Sequence, residues 1–318
     1  MEILKNLPHP ANYPLPPDLA TLPTIEAKVK YRLGDGKKTP SLEGPVFDKY
    51  GNFYACLTAP DATVVKKITP DGEITDFFKP GKGMTIGLAV HKDGRFFATD
   101  MMRGVIRIIN PEGELLDEIE YKNAGRNLRV DCMAFDNNGD LLFTDLSGTS
   151  FDPIGAIYKA TQASGYREIS VYFSGLAAPN GLCYSHDESV LWVAQTGKNV
   201  LTRLILDTDG TPRASHYTQM EVYKNTGFPV LDSTRVDKNG YVYQAVMFGG
   251  RVIIFSPQGI PVANVLVPGR EEGRLPYSSN LAIKSDTNEA YLVASDDKDA
   301  VILSFETFAP SALLYSNK

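Results

Sequence analysis

Cysteine and histidine are scarce in this chain of 318 residues, which has three cysteines and four histidines. Cys56, Cys132 and Cys183 are widely spaced and odd in number, so the sequence predicts neither a disulfide framework nor a C-x-x-C metal site. An H-E-x-x-H pair is also missing, which disfavours a zinc enzyme. Because unpaired cysteines are typical of a reducing compartment, we expect a cytoplasmic protein.

Long apolar runs and basic clusters are missing as well. No stretch approaches 18 consecutive apolar residues, and the first 25 residues contain no basic segment followed by an apolar one. The sequence therefore predicts neither a transmembrane helix nor a signal peptide. Lys and Arg number 32 against 38 for Asp and Glu, a net charge of -6, without a run of five basic residues. Nucleic acid and anionic membranes are thus not expected partners, and nothing specifies an oligomeric state.

One short phrase recurs six times along the chain. It consists of an apolar lead residue, a polar turn and then an aromatic or aliphatic strand, and its lead residues are separated by 43, 45, 49, 52 and 47 positions. The lead residues are Phe47, Val90, Phe135, Tyr184, Val236 and Ile283. Asn-Gly and Asp-Gly in several of these turns favour tight hairpins, and a second hairpin follows most copies, for example at Val105 and Arg251.

Two hairpins per repeat predict an all-β fold, a six-bladed β-propeller with four antiparallel strands per blade. A β-sandwich is the alternative, but it does not explain a period of this length. The last blade lacks one strand, while Ile25 to Leu33 provides a spare strand that we expect to close it. We expect residues 1–24 to form a Pro-rich, extended arm and residues 25–318 a single propeller domain.

The position four residues before each lead residue is rich in oxygen-bearing side chains. The six residues, named the axial ring, are Glu43, Ile86, Asp131, Asn180, Asp232 and Ser279. In a propeller they precede the innermost strands and can converge on the mouth of the central channel. Each could simply be a turn residue. Together, however, three crowded carboxylates must take up protons or bind a cation.

An all-oxygen donor set without His or Cys selects a hard cation, and flexible ligands suit Ca²⁺ better than Mg²⁺ or Mn²⁺, which remain possible substitutes. Such an ion at a channel mouth can polarise a carbonyl or phosphoryl oxygen and promote hydrolysis. Asp232 is the candidate general base or nucleophile, because Ser233 can hold it while Phe228 and Pro229 provide an apolar wall.

The phrases beginning at Leu42 (LEGPVFDKYGNFY), Val130 (VDCMAFDNNG), Ala178 (APNGL) and Leu231 (LDSTRVDKNG) resemble the SMP-30/gluconolactonase/luciferin-regenerating family, above all its drug-responsive lactonase and diisopropyl fluorophosphatase branches. The resemblance implies a calcium-dependent lactonase with metal ligands Glu43, Asp131, Asn180, Asp232 and Ser233. It implies substrate contacts from Arg129, Asp131 and Asn180, with Asp232 as the catalytic carboxylate. The fluorophosphatase branch has a His where this chain has Ala282, which disfavours that activity.

We therefore expect a lactone to place its carbonyl oxygen on Ca²⁺ while Asp232 activates water or attacks. Three of the polar residues at the ends of the second strands, Asp100, Asp145 and Gln195, are expected to shape the pocket together with Met247. Two alternatives remain open: an esterase or phosphotriesterase that uses the same ion, and a calcium-stabilised propeller that binds a protein without catalysis.

Overall fold

Four-stranded antiparallel sheets repeat along the chain. A computed structural model describes residues 15–34, 41–59, 62–81 and 83–317, and in this part of the chain the sheets form the six blades of a β-propeller. The predicted fold class is confirmed. Before the first blade the structure contains α1 (Pro17–Ala20), β1 (Thr24–Glu26) and β2 (Lys28–Arg32).

The strands of each blade follow in chain order from the propeller axis to its rim, with the exception of the last blade. The first three blades contain β3 (Ser41–Phe47), β4 (Phe53–Ala59), β5 (Ala62–Ile68), β6 (Ile74–Phe78); β7 (Thr85–Val90), β8 (Phe96–Asp100), β9 (Val105–Ile109), β10 (Leu115–Glu120); and, after the small hairpin β11 (Lys122–Asn123) and β12 (Arg126–Asn127), β13 (Val130–Phe135), β14 (Leu141–Asp145), β15 (Gly155–Ala160), β16 (Ile169–Leu176). The remaining blades contain β17 (Pro179–Tyr184), β18 (Val190–Gln195), β19 (Val200–Ile205), β20 (Gln219–Lys224); β21 (Val230–Val236), β22 (Val242–Met247), β23 (Arg251–Phe255), β24 (Pro261–Leu266); and β25 (Tyr277–Ile283), β26 (Glu289–Ser295), β27 (Ala300–Glu306). Single 3₁₀ turns occur at Gln162–Ser164, Arg270–Glu272 and Tyr315–Asn317.

The N-terminal segment closes the propeller, as predicted. Strand β2 pairs antiparallel with β27 and becomes the outermost strand of the sixth blade. The predicted single strand is divided, however, because β1 pairs in parallel with β24 and becomes a fifth strand of the fifth blade. The segment therefore covers the exposed edges of two neighbouring blades, which joins them and removes two edges that could pair with another chain.

The innermost strands form a closed ring, in which β3 contacts β7 and β25, and β13 contacts β7 and β17, while β21 contacts β17 and β25. Among the described residues, the buried hydrophobic side chains form six clusters, each of which lies between two adjacent blades. The hydrophobic core is thus distributed over the six interfaces between blades, and the axis itself is left for a channel. No helix of the described residues has the length and apolarity that crossing a membrane requires.

The described part of the predicted arm does not run extended over the surface. Pro16 is the N-cap and Pro17 the first residue of one helical turn, in line with the preference of proline for the start of a helix. Leu19 on this turn is fully buried in the cluster between the fourth and fifth blades. Residues 1–14 of the arm lie outside the described residues.

Residues 309–317, named the C-terminal strap, cross the end of the channel opposite the axial ring. The Ser311 N–H donates to the Lys284 carbonyl, and the Ala312 N–H donates to the Val236 carbonyl. The Tyr315 ring packs 4.9 Å from the ring of His91 and 5.6 Å from that of Phe135, measured between centroids. The strap therefore connects blades on opposite sides of the channel.

We expect Tyr315→Ala to lower the free energy of unfolding by about 3 kcal/mol, because it removes a buried ring from the strap. Tyr315→Phe is the matched control, since the buried Tyr315 hydroxyl has no hydrogen-bond partner among the described residues and its loss should leave stability unchanged or slightly raised. Urea denaturation followed by circular dichroism measures both. Equal losses in the two variants would contradict the proposed packing role.

Candidate metal centre

The axial ring lies at the start of the six innermost strands. In every blade the register between the first and second strands is interrupted at or immediately beside the axial-ring residue. Such β-bulges re-aim a side chain that would otherwise follow the regular alternation of a strand. The sixfold repetition of the bulge shows that the backbone is bent at this one level of the channel.

Small residues next to the axial ring allow the inner strands to approach closely. A Cβ atom added to Gly87 would lie 2.4 Å from the carbonyl oxygen of Asp131. One added to Gly181 would lie 2.5 Å from the carbonyl oxygen of Asp232. Any larger residue at these two positions would push neighbouring blades apart at the level of the axial ring.

Polar side chains on the second strands fix the bulged backbone. The Thr144 hydroxyl donates to the carbonyl of Asn180 at 3.0 Å, and the Thr196 hydroxyl donates to that of Leu231 at 2.7 Å. Each of these hydrogen bonds joins two adjacent blades. Thr144 lies near the end of β14 and Thr196 follows the last residue of β18, so both come after runs of apolar residues that could have marked them in the sequence.

Gln244 makes the most extensive of these contacts. Its Nε2 lies 3.0 Å from the carbonyl oxygen of Asp232 and 3.2 Å from that of Ser233, and its Oε1 accepts a hydrogen bond of 2.7 Å from the Thr234 hydroxyl. The Gln244 side chain is fully buried. It therefore fixes the backbone that carries Asp232.

Contacts between adjacent blades occur at the axial ring. The Ser279 hydroxyl donates to the Leu42 carbonyl, next to Glu43, at 3.3 Å, which joins the sixth blade to the first. The Asn180 side chain lowers the pKa of the Asp232 carboxyl against the larger effect of burial, so the fourth and fifth blades also meet at this level. The structure thus places Ser279 beside Glu43 and Asn180 beside Asp232 across two blade boundaries.

The three carboxyl groups of the axial ring are strongly perturbed. Burial raises the pKa of Glu43 to about 8, assisted by the negative charge of Asp131 and opposed by the Ser279 hydrogen bond. Burial also raises the pKa of Asp131 to about 7, against the opposing charge of Arg129. The pKa of Asp232 lies well above its ordinary range because of burial and the charges of Glu43 and Asp131. Ionising all three together is therefore unfavourable without a cation.

The donor set fits a hard cation. Asp131 Oδ2 is buried and has no hydrogen-bond partner among the described residues, although buried polar atoms are normally paired. All the candidate donor atoms are oxygens, which suits Ca²⁺. Within residues 15–34, 41–59, 62–81 and 83–317, however, no group of three or more His, Cys, Asp or Glu side chains is close enough together to hold a metal ion.

The two remaining predicted site residues differ in exposure. Ser233 follows Asp232 in β21 and is buried. Arg129 is exposed, and its backbone N–H donates to Asp145 Oδ1 at 2.8 Å. Its guanidinium charge is nevertheless felt by Asp131, whose pKa it lowers against the larger effect of burial. Arg129 is therefore near Asp131 of the axial ring, and its side chain is exposed to solvent.

The expectation that Asp100, Asp145 and Gln195 line the pocket is wrong. All three side chains are fully buried. Asp145 accepts hydrogen bonds from the Arg129 backbone and the Ser147 hydroxyl, and Gln195 accepts one from the Ala177 backbone. They fix the loops at this end of the channel and do not face the channel mouth.

An aromatic group that the sequence did not reveal lies at the same end of the propeller. The Phe248 ring packs 5.2 Å from the Phe228 ring and 5.3 Å from the Tyr277 ring. The Phe248 backbone has φ 64°, a left-handed conformation that is costly for an aromatic residue. Phe228, which the sequence predicted to form an apolar wall beside Asp232, packs against Phe248, which in turn contacts Tyr277.

Comparison with known proteins identifies the family. Residues 43–273 match the family model described as the SMP-30/gluconolactonase/LRE-like region. The chain is 30% identical over 287 residues to lactonase drp35 of Staphylococcus saprophyticus, covering 89% of this chain and 86% of the relative. It is also 30% identical over 264 residues to lactonase drp35 of Staphylococcus aureus (strain MW2), covering 82% and 80%.

Solved structures with the same fold are more distant in sequence. Regucalcin, a calcium-binding protein from Agrobacterium tumefaciens, superposes with a TM-score of 0.69 at 18% identity, covering 92% of this chain and 99% of the other. A gluconolactonase from Xanthomonas campestris superposes with a TM-score of 0.67 at 20% identity, covering 88% and 94%. At these identities the structures support the fold. The family match, which spans residues 43–273, shows that the chain belongs to the SMP-30/gluconolactonase/LRE-like family.

Proposed function

We propose that this protein is a Ca²⁺-dependent hydrolase that opens a lactone ring. The observation that carries the proposal is the two buried carboxyls of Asp131 and Asp232 and the half-buried carboxyl of Glu43 at one end of the channel. Asp131 has a buried oxygen without a hydrogen-bond partner among the described residues. The names of the relatives, lactonase drp35, support a lactone as the substrate. The substrate is thus a small molecule, and neither nucleic acid nor a membrane is part of the proposal.

The residues proposed to hold the cation are Glu43, Asp131, Asn180, Asp232 and Ser233. Ca²⁺ is the favoured ion, and Mg²⁺ or Mn²⁺ are proposed as substitutes, because oxygen donors without His or Cys select hard cations. When bound, the ion supplies Lewis-acid polarisation of the substrate carbonyl. Arg129, Asp131 and Asn180 are proposed to contact the substrate, with the Arg129 guanidinium exposed beside Asp131 to receive it.

Asp232 is the proposed catalytic carboxylate. As a general base it takes a proton from the attacking water, whose oxygen bonds to the lactone carbonyl carbon. The ring C–O bond then breaks, and Asp232 returns the proton to the leaving alkoxide. As a nucleophile it would instead form an acyl intermediate that water hydrolyses. The Asn180 side chain, which interacts with the Asp232 carboxyl, is proposed to orient it in either case.

We also propose that the protein acts in the cytoplasm. Cys56, Cys132 and Cys183 are all free and buried, which agrees with a reducing compartment.

We expect Asp232→Asn to reduce lactone turnover by at least about 100-fold, because the amide cannot accept the proton. Chelation should abolish turnover and added calcium should restore it. A pH-stat assay against aldono-, aliphatic and aromatic lactones measures both effects. Asp209→Asn, at an exposed site on the opposite end of the propeller, is the control and should retain full activity.

If the protein hydrolyses only aryl esters or phosphotriesters, its substrate belongs to that class and is not a lactone. A folded, calcium-loaded protein that hydrolyses none of these compounds would contradict catalysis and leave a calcium-stabilised binding protein.

Calcium affinity should rise with pH. The axial-ring carboxyls have higher pKa values in the folded chain than the ordinary value of about 4, so the metal-free folded state retains protons that the unfolded state has lost. The unfolding free energy of the metal-free state therefore falls as the pH rises from about 4 towards about 8. Calcium must expel the same protons, so its binding tightens over that range.

Calorimetric titration of calcium at several pH values, in buffers of different ionisation enthalpy, measures both the affinity and the protons released. Asp131→Asn should release about one proton fewer, because it removes one titrating group. Calcium binding that neither releases protons nor depends on pH would contradict the assignment of these carboxyls as ligands.

Gln244→Met should weaken calcium binding by about 10- to 100-fold, because it releases the backbone that carries Asp232. Gln195→Met is the matched control, since Gln195 is an equally buried glutamine of a second strand but holds only the Ala177 loop and the Thr202 hydroxyl. Calorimetry and thermal unfolding should separate the variants, with comparable losses of stability and unequal losses of affinity. Equal effects on affinity would contradict a positioning role for Gln244.

A further inference from the structure

Three residues beyond the axial ring, the side chains that line the central channel are mostly small or apolar. The residues at this level, named the second ring, are Val46, Ala89, Ala134, Cys183, Arg235 and Ala282. Five of them are small or apolar, and Arg235 is the charged member. The repeat alone therefore places a single arginine in a channel lined by short apolar side chains.

The C-terminal strap bounds this part of the channel on its far side. The second ring and the strap line a partly open cavity of about 90 Å³, named the lower chamber. Leu314 and Tyr315 of the strap line it together with Tyr184 and Ser285. The lower chamber lies at the opposite end of the innermost strands from the start positions that carry Glu43, Asp131 and Asp232.

Arg235 has no acidic partner in the part of the chain that the structure describes. Its Nη1 donates to the Thr234 carbonyl at 2.8 Å. Its guanidinium also lies near the thiols of Cys132 and Cys183. Glu188, an acidic residue of the lining, instead accepts a hydrogen bond from the Asn137 backbone at 3.1 Å.

A half-buried guanidinium with only neutral partners retains unused hydrogen-bonding capacity and an uncompensated charge. An arginine presents two parallel N–H donors that match the two oxygens of a carboxylate. The walls formed by Ala89, Ala134 and Ala282 offer only apolar contacts. The chamber thus combines the Arg235 guanidinium with apolar walls at the second ring and polar side chains nearer the strap, such as Ser285 and Ser311.

We propose that the lower chamber is a second ligand site that binds a small aliphatic carboxylate, with Arg235 holding the carboxylate and the second ring contacting the apolar chain. A cavity of about 150 Å³ accommodates benzene, so a chamber of about 90 Å³ fits a shorter molecule with two to four carbons. This site does not depend on the proposed lactonase activity, because it uses none of the residues assigned to that reaction.

Propionate is the probe for this site, and propionamide is the matched neutral control. Protein labelled with ¹³C at its alanine methyl groups, prepared without calcium, reports binding directly through the methyl resonances of Ala89, Ala134 and Ala282. Propionate should shift these resonances in a saturable manner, and propionamide should bind at least about tenfold more weakly, since it lacks the charge.

Arg235→Gln should reduce propionate affinity at least about tenfold, whereas Asp232→Asn should leave it unchanged. Should Arg235→Gln fail to fold, Ala134→Leu fills the chamber while retaining the arginine, and it should abolish binding. Equal affinity for propionate and propionamide, unchanged binding in Arg235→Gln and Ala134→Leu, or shifts confined to alanines away from the second ring would each overturn the proposal. Loss of lactonase activity in Asp232→Asn with retained propionate binding would separate the two sites.

Discussion

The desolvation of three carboxyl groups at one end of a closed ring of strands is the constraint on which the rest of the structure depends. A buried carboxylate is stable only when it is paired or protonated, and the raised pKa values of Glu43, Asp131 and Asp232 express that cost. A site of this kind requires a backbone that does not relax. The β-bulges shape the backbone at the axial ring, and hydrogen bonds from the side chains of Gln244, Thr144 and Thr196 fix that backbone.

The propeller provides this rigidity because its core is distributed. Hydrophobic clusters between adjacent blades fix each innermost strand from both sides, while the N-terminal segment covers the edges of the fifth and sixth blades. The C-terminal strap connects blades at the opposite end of the channel. The channel consequently has two chemically distinct ends, one with carboxyls that suit a cation and one with Arg235, which suits an anion.

Much of this architecture could be predicted from the sequence because its signals are local. Tight turns at a period of about 47 residues indicated six blades, and one position per repeat indicated the axial ring. The bulges could not be predicted, since a bulge depends on how two strands pair and not on the composition of either. Asp145 and Gln195 were wrongly predicted to shape the pocket, because their side chains accept hydrogen bonds from the backbone of neighbouring loops. Such contacts depend on how the loops fold and not on the strand sequence alone. The division of the N-terminal strand between two blades and the course of the C-terminal strap depend on contacts distant in sequence.

We propose that the axial ring holds one cation. An anomalous difference map from crystals grown with calcium tests this most directly. A bound calcium ion should give one peak on the propeller axis, about 2.3 to 2.6 Å from oxygens of Glu43, Asp131, Asn180 and Asp232. A map with no peak at this level of the channel, or a peak held by other residues, would contradict it.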